Sequence, residues 1–295
     1  MNQSVREIAK GRWRGLLPEL GVASTYLNKR HGPCPICGGK DRFRFDDKNG
    51  VGDWICNSCG SGDGVMLVAK ATGKPVGDIL ERVKALAGTV AATPVKERDT
   101  AKEMHAIKSL WERAQRPADD GPVQAYLNRR LGRPWRSNAI REVMDCWEAG
   151  SQTRMPAMVA AVTDPDGSLV NCHLTYLTPD GQKVTRRVMP GSLPEGCCIR
   201  LWEPRDGVLG VAEGIETAMA AAARFKLPVV AAINANRLAA WEPPAGVKEV
   251  YVFGDNDESY TGQAAAYNLA RKLVLKHNLI AHVMIPPEGG TDWAD

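Results

Sequence analysis

Two stretches near the C-terminal end decide the fold: VLGVAEGIETAMAAAARF, residues 208–225, and VKEVYVFGDND, residues 247–257. Each opens with an apolar run of strand length and closes on carboxylates. The first run ends at Glu213, followed by Gly214 and a helical pattern; the second ends at Gly254, followed by Asp255-Asn256-Asp257. PVVAAIN lies between them, GQAAAYNLARKLVLK reads as the helix after the second, and AHVMIPP as the closing strand. Strands alternating with helices imply a mostly parallel α/β sheet with crossover helices over residues 208–295.

In such sheets the strand C-termini carry the active site. Glu213 and the Asp255/Asp257 pair therefore form a candidate Mg²⁺ site of hard oxygen ligands, which suits phosphoryl transfer. Asp255 and Asp257 share a face if extension persists beyond the strand. Asp292 and Asp295, after the last strand, are two further acids of which one is expected to support the cluster.

Upstream, MVAAVTD, SLVNCHLTYL and KVTRRVM lie between residues 158 and 189, with DPDG, TPDG and PGSLPEG as turns. They predict a small antiparallel sheet. Before it, the spacing predicts helices over 101–115 and 123–131, with Pro117 and Pro122 between them. The stretch 88–99, GTVAATPVKERD, lacks helical periodicity and follows a predicted helix over 76–86, so it reads as an interdomain linker. The resulting division is 1–88, a linker at 89–100, 101–207 and 208–295. No fixed-period repeat is visible.

Cys34-Pro-Ile-Cys37 and Cys56-Asn-Ser-Cys59 are two knuckles separated by eighteen residues. That spacing lets each pair give two thiolates to one tetrahedral Zn²⁺. Gly38, Gly39 and Gly60 follow the knuckles and permit a tight turn that brings backbone amides toward the sulfurs. His31 precedes Cys34, but four thiolates already close a structural site. Between the knuckles, KDRFRF (40–45) interleaves cations and aromatics, and Trp54 stands before Cys56. Two uses stay open for this strand. Bases stack on Phe43 and Trp54 while Arg42 and Arg44 meet phosphates, or Phe43, Phe45 and Trp54 form the ribbon's own core; opposite faces of one strand accommodate both. Cys146, Cys172, Cys197 and Cys198 read as free core or surface thiols.

The 295 residues carry a net charge of +4, distributed as +5 over 1–88, +2 over 89–207 and −3 over 208–295. A basic front favours polyanions and an acidic back suits a divalent cation. Residues 1–15 lack the apolar core of a signal peptide and no apolar run reaches membrane length, so the expected location is the cytoplasm, away from membranes. No Gly-x-x-x-x-Gly-Lys-Ser/Thr stretch occurs, so a helicase motor would belong to a separate partner.

The Glu-Gly strand end followed by Asp-x-Asp resembles the Toprim domain of primases, topoisomerases and nucleases. Preceded by a zinc ribbon, it resembles bacterial and phage DNA primases. HGPCPICGGKDRFRF (31–45) and EGIETA (213–218) are similar to primases of satellite phages, plasmids and mobile elements, and the resemblance covers nearly the whole chain. It implies an α/β Toprim domain preceded by a helical and antiparallel primase subdomain and a β-rich zinc ribbon. It also implies RNA primer synthesis from NTPs on a single-stranded DNA template, with structural Zn²⁺, catalytic Mg²⁺ or Mn²⁺ and a separate replicative helicase as partner.

Carried over by motif, Glu213 matches the general base or metal partner, Asp255 and Asp257 the metal pair, and Glu216 an assisting acid. Lys183, Arg186 and Arg187, with His173 and Tyr176 on the neighbouring strand, resemble the patch that holds template and NTP phosphates. The plain alternative for these five is a solvated face of a sheet with one wet side. One departure is Thr217, where many primases place an aspartate. The rival functions are a Toprim nuclease and a non-catalytic nucleic-acid-binding protein of defence or regulation; a topoisomerase needs a tyrosine domain for which there is no room. The end at Asp295, directly after the last acidic motif, fits a chain that continues into a helicase or helicase-binding domain.

Overall fold

The computed structural model describes residues 4–94 and 99–295. They form two compact units, Met1–Asp99 and Thr100–Asp295.

In the first unit, helices α1 (Val5–Ala9) and α2 (Trp13–Glu19) precede an antiparallel ribbon of β1 (Gly32–Cys34), β2 (Gly38–Phe45), β3 (Trp54–Cys56) and β4 (Gly60–Gly62), paired in that order. Helices α3 (Gly64–Thr72) and α4 (Val76–Ala87) follow. Asp63 starts α3 by accepting the Met66 amide, and Gly73 ends it at φ 70°. Trp13 fills the centre so tightly that a Cβ at Gly64 would stand 2.1 Å from its ring. The expected linker is partly an ordered strap. Thr93 donates to the Gly11 carbonyl at 2.8 Å, and Val90 lies against Gly15. Residues 95–98 of that stretch lie outside the described residues, and Thr100 already begins a helix.

The second unit opens with α5 (Thr100–Arg113) and α6 (Pro122–Leu131). An antiparallel sheet follows, made of β5 (Ile140–Glu148), β6 (Thr153–Thr163), β7 (Leu169–Leu177) and β8 (Lys183–Val188), paired 5-6-7-8. Then β9 (Val208–Ala212), α7 (Ile215–Phe225), β10 (Val229–Ala231), α8 (Ala235–Ala240), β11 (Glu249–Phe253), α9 (Thr261–His277) and β12 (Ile280–Met284) build a fully parallel sheet in the order 10-9-11-12. Cys198 and Ile199 tie the two sheets together, bridging to Thr163 on one side and Ala231 on the other.

Both faces of the antiparallel sheet are covered. Ala157, Val159, Leu174 and Tyr176 pack under Ile107 and Leu110 of α5. Met158, Ala160, Val162 and Leu177 share a core with Ile215 and Met219 of α7. The expected wet side therefore does not exist over the centre of β6 and β7; the edge strand β8 presents its charges to solvent, as do Asp145 of β5 and Arg154 at the start of β6. Among the described residues, no helix is long and apolar enough to cross a membrane.

Candidate active site and metal centre

The four cysteines converge. Cys34 and Cys59 sulfurs are 3.9 Å apart and those of Cys37 and Cys56 3.8 Å apart, and all four lie within 4.8 Å of one another. Among the described residues this is the one group of three or more potential ligands that close together. It is a closed, four-thiolate arrangement of the kind that holds structural zinc. The amides that point at sulfur come from inside the knuckles, Ile36 to Cys34 and Ser58 and Cys59 to Cys56, each at 3.4 Å. The glycines after the knuckles act differently from expectation. Gly38, Gly39 and Gly60 adopt φ of 71°, 82° and 85° and turn the chain into β2 and β4. His31 stays outside the quartet, exposed, with Nδ1 against the Asp41 carbonyl at 3.1 Å.

Strand alternation resolves the ribbon's open question. Phe43, Phe45 and Trp54 are buried in the unit's core, with Phe43 and Trp54 rings stacked 5.9 Å apart. They are closed to bases, because they pack inward from the four-strand ribbon against Trp13, Leu16 and Leu67 in one core. Arg42 and Arg44 occupy the opposite, half-exposed face. Arg44 is already paired with Asp46 at 2.7 Å.

In the second unit the acids meet the basic edge strand. A cavity of about 430 Å³ is lined by Glu213, Glu216, Asp255 and Asp292 on one side and by Lys183, Arg186 and Arg130 on the other. Glu213 stands at the end of β9, Asp255 two residues past β11, and Glu216 in the first turn of α7. Lys183 and Arg186 reach the same face because the register slips between Tyr176 and Leu177, leaving Val184 as a bulge. Without that slip, residues three apart would point to opposite faces.

Burial and crowding govern the protonation of the acids. Burial first, then the charges of Glu213, Asp292 and Asp257, push the Asp255 carboxyl up to about 7, although Arg186 works against this. Burial likewise raises Glu213, with Arg186 opposing and Asp257 adding, and raises Asp292. The Asp255 Oδ1 atom is buried without a hydrogen-bond partner. An orphaned carboxylate oxygen among hard oxygen donors that repel one another is a fitting seat for a divalent cation, although these carboxylates do not close to the 4.8 Å that joins the thiolates.

Asp257 departs from the expected pair. Strand β11 ends at Phe253, and the Asp257 carboxylate turns to the start of α9, accepting the amides of Ser259, Thr261 and Gly262 at 3.0, 3.1 and 2.7 Å. Burial opposes its ionisation, but these bonds and the Ser259 hydroxyl hold it below the usual carboxylate range. Asp255 faces the cavity; Asp257 anchors the helix beside it.

His173 and Tyr176 also part from the basic patch. His173 is only 7% exposed, and burial depresses it to about 4 despite the nearby Glu216. Tyr176 lies on the α5 side and donates to the Trp147 carbonyl at 2.8 Å. Arg187 points away from the cavity and pairs with Glu148 at 2.8 Å. The structure adds two side chains that sequence reasoning missed. Tyr126 of α6 donates to Glu216, and Arg130, one turn on, pairs with Asp292 at 3.4 Å and Asp295 at 2.9 Å. The only signal for them was the helical spacing that puts 126 and 130 on one face.

With this geometry in hand, three family models match in chain order. A zinc-binding domain of primase-helicase matches residues 29–65, a domain of unknown function (DUF7146) residues 101–201, and a Toprim domain residues 208–295. The chain combines a primase zinc ribbon with a Toprim domain. Solved structures similar to it include the zinc-binding and RNA polymerase domains of Aquifex aeolicus primase, at 14% identity and TM-score 0.43, covering 100% of this chain and 81% of that one. The primase fragment of the bacteriophage T7 primase-helicase is similar at 15% identity and TM-score 0.39, covering 90% and 92%. The E. coli primase catalytic core follows at 14% and 0.38, covering 67% and 69%.

Proposed function

We propose that this protein is a DNA primase that makes short RNA primers on single-stranded DNA by Mg²⁺-dependent nucleotidyl transfer. The observation that carries this reading is the cavity in which the Toprim acids face the cations of a β8 edge contributed by the preceding domain. Asp255 and Asp292 would hold the Mg²⁺, whose charge, when bound, offsets that of the phosphate oxygens. Lys183 and Arg186 bind the triphosphate and orient it toward the primer's 3′-hydroxyl. That hydroxyl attacks the α-phosphate, a new P–O bond forms, and pyrophosphate leaves. Glu213, raised by its buried setting, is suited to accept the hydroxyl proton. Glu216, held by Tyr126, positions the start of α7 under the incoming nucleotide. The zinc ribbon offers the template Arg42 and its basic surroundings, and a separate helicase would supply unwound DNA.

The test is incubation with single-stranded DNA, labelled NTPs and Mg²⁺, beside an Asp255→Ala/Asp257→Ala variant, with products resolved on a denaturing gel. Short labelled RNAs from the wild type alone are expected. Mg²⁺-dependent loss of the DNA without RNA would replace the primase with a Toprim nuclease, and binding without either product would leave a non-catalytic nucleic-acid-binding protein.

A further inference from the structure

A cavity of about 770 Å³ in the second unit shares none of its lining with the acids. It shares Trp135, Trp202 and Glu203 with a neighbouring cavity of about 410 Å³, so the two form one cleft pinched by a tryptophan pair. The pair meets edge to face at 5.8 Å, and both residues are half-buried and line the cleft. Arg116 lines one end and Arg133, Arg205 and Lys226 the other; three further arginines complete the wall, against Glu203 as its single acid. None of the four named cations makes an ion pair among the described residues, though Arg205 donates to the Lys226 carbonyl; of the three further arginines, Arg136 pairs with Asp119 and Arg200 with Glu203. Arg133 instead lies over the Trp135 ring at 4.4 Å.

A solvated basic face would scatter such charges among acids and would not place two large indoles at the floor of a groove. Unpaired cations lining a trough with aromatic platforms at its waist match the chemistry of a polyanionic strand with unstacked bases. The trough also has its own address. Helix α7 starts at the acid cavity, where Gly214, Glu216 and Thr217 are, and its far end, at Ala222 and Lys226, walls the trough. Eleven residues of helix separate the two by about 16 Å.

We propose that this cleft is a second nucleic-acid site, which binds single-stranded DNA by stacking bases on Trp135 and Trp202 and pairing phosphates with Arg116, Arg133, Arg205 and Lys226. The elongated, two-lobed form favours a strand over a single nucleotide. Binding here stands apart from the chemistry at Glu213 and Asp255 and does not depend on it.

The test uses the full chain with a fluorescein-labelled oligothymidylate in the absence of Mg²⁺ and NTPs, across a range of salt. Arg116→Gln and Arg133→Gln, exposed changes that leave the core untouched, should each lower the slope of log affinity against log salt by about one. Photocrosslinking of a bromodeoxyuridine oligomer should label the peptides holding Trp135 and Trp202. Both effects should persist in Asp255→Asn, so a chain that makes no primers can still bear out the cleft. Wild-type slopes in both arginine variants, crosslinks confined to the zinc ribbon, or dTMP binding as tightly as the oligomer would overturn it.

Discussion

At the scale of single residues, Asp255 concentrates the cost of the site. A carboxyl with an ordinary value near 3.8 that is pushed to about 7 holds its proton more firmly folded than unfolded. Its contribution to stability is therefore present in acid and lost as pH rises between those two values. Asp255→Asn, which cannot ionise, should melt above the wild type at pH 8 without divalent metal, and the gap should close by pH 4. Each kcal/mol of relieved repulsion is worth about 2–4 °C in a unit of this size. The same variant should lose primer synthesis by at least about a hundredfold. A gap that does not change with pH in thermal melts would remove the burial argument. The acids themselves were readable from sequence because apolar strands ended on them. The different orientation of Asp257 was not, since nothing in Asp-Asn-Asp says whether the chain stays extended or begins to cap a helix.

At the scale of elements, α9 must lie hard against the Asp255 backbone for that cap to form. A Cβ at Gly262 would stand 2.6 Å from the Asp255 carbonyl oxygen, closer than atoms tolerate. Gly262→Ala should therefore displace the loop, costing about 1–3 kcal/mol and reducing priming, a loss that Mg²⁺ titration would show as weakened metal dependence. Helix α6 makes the complementary contribution through Arg130, whose fork spans Asp292 and Asp295. Arg130→Ala should lower priming about tenfold with little change in melting, and Arg130→Lys should restore only part, because an ammonium cannot hold two carboxylates in that geometry. Steady-state primer synthesis alongside thermal melts separates these outcomes from unfolding. The helices at 76–87, 100–113 and 122–131 and the three strands β6 to β8 were legible from periodicity. Strand β5 was not: the register slip between Val143 and Cys146 and the charges at 141, 142, 145 and 148 hide its alternation. The six-residue α8 is too short to show a period. Burial on both faces of the antiparallel sheet was equally invisible, which is why His173 and Tyr176 looked exposed.

At the scale of the whole molecule, the two units hold themselves together by different means. The second has three contiguous cores of its own, whereas the ribbon of the first rests on one core and four thiolates. Strands of three residues, as β1, β3 and β4 are, cannot form a stable sheet unaided. Metal binding to such a ribbon contributes directly to its folding, with apparent values of about 10–16 kcal/mol in small zinc modules. Removing zinc with a chelator at neutral pH should therefore abolish the melting transition of residues 1–99 while leaving that of 100–295 in place. Cys37→Ser should do the same, since a hydroxyl is a poor replacement for a thiolate ligand. Calorimetry reads this as the loss of one of two transitions, restored in the wild type by added Zn²⁺ and not in the variant. A chelated protein that keeps both transitions would mean that Trp13, Phe43, Phe45 and Trp54 hold the ribbon without metal, and that the thiolates serve something other than folding.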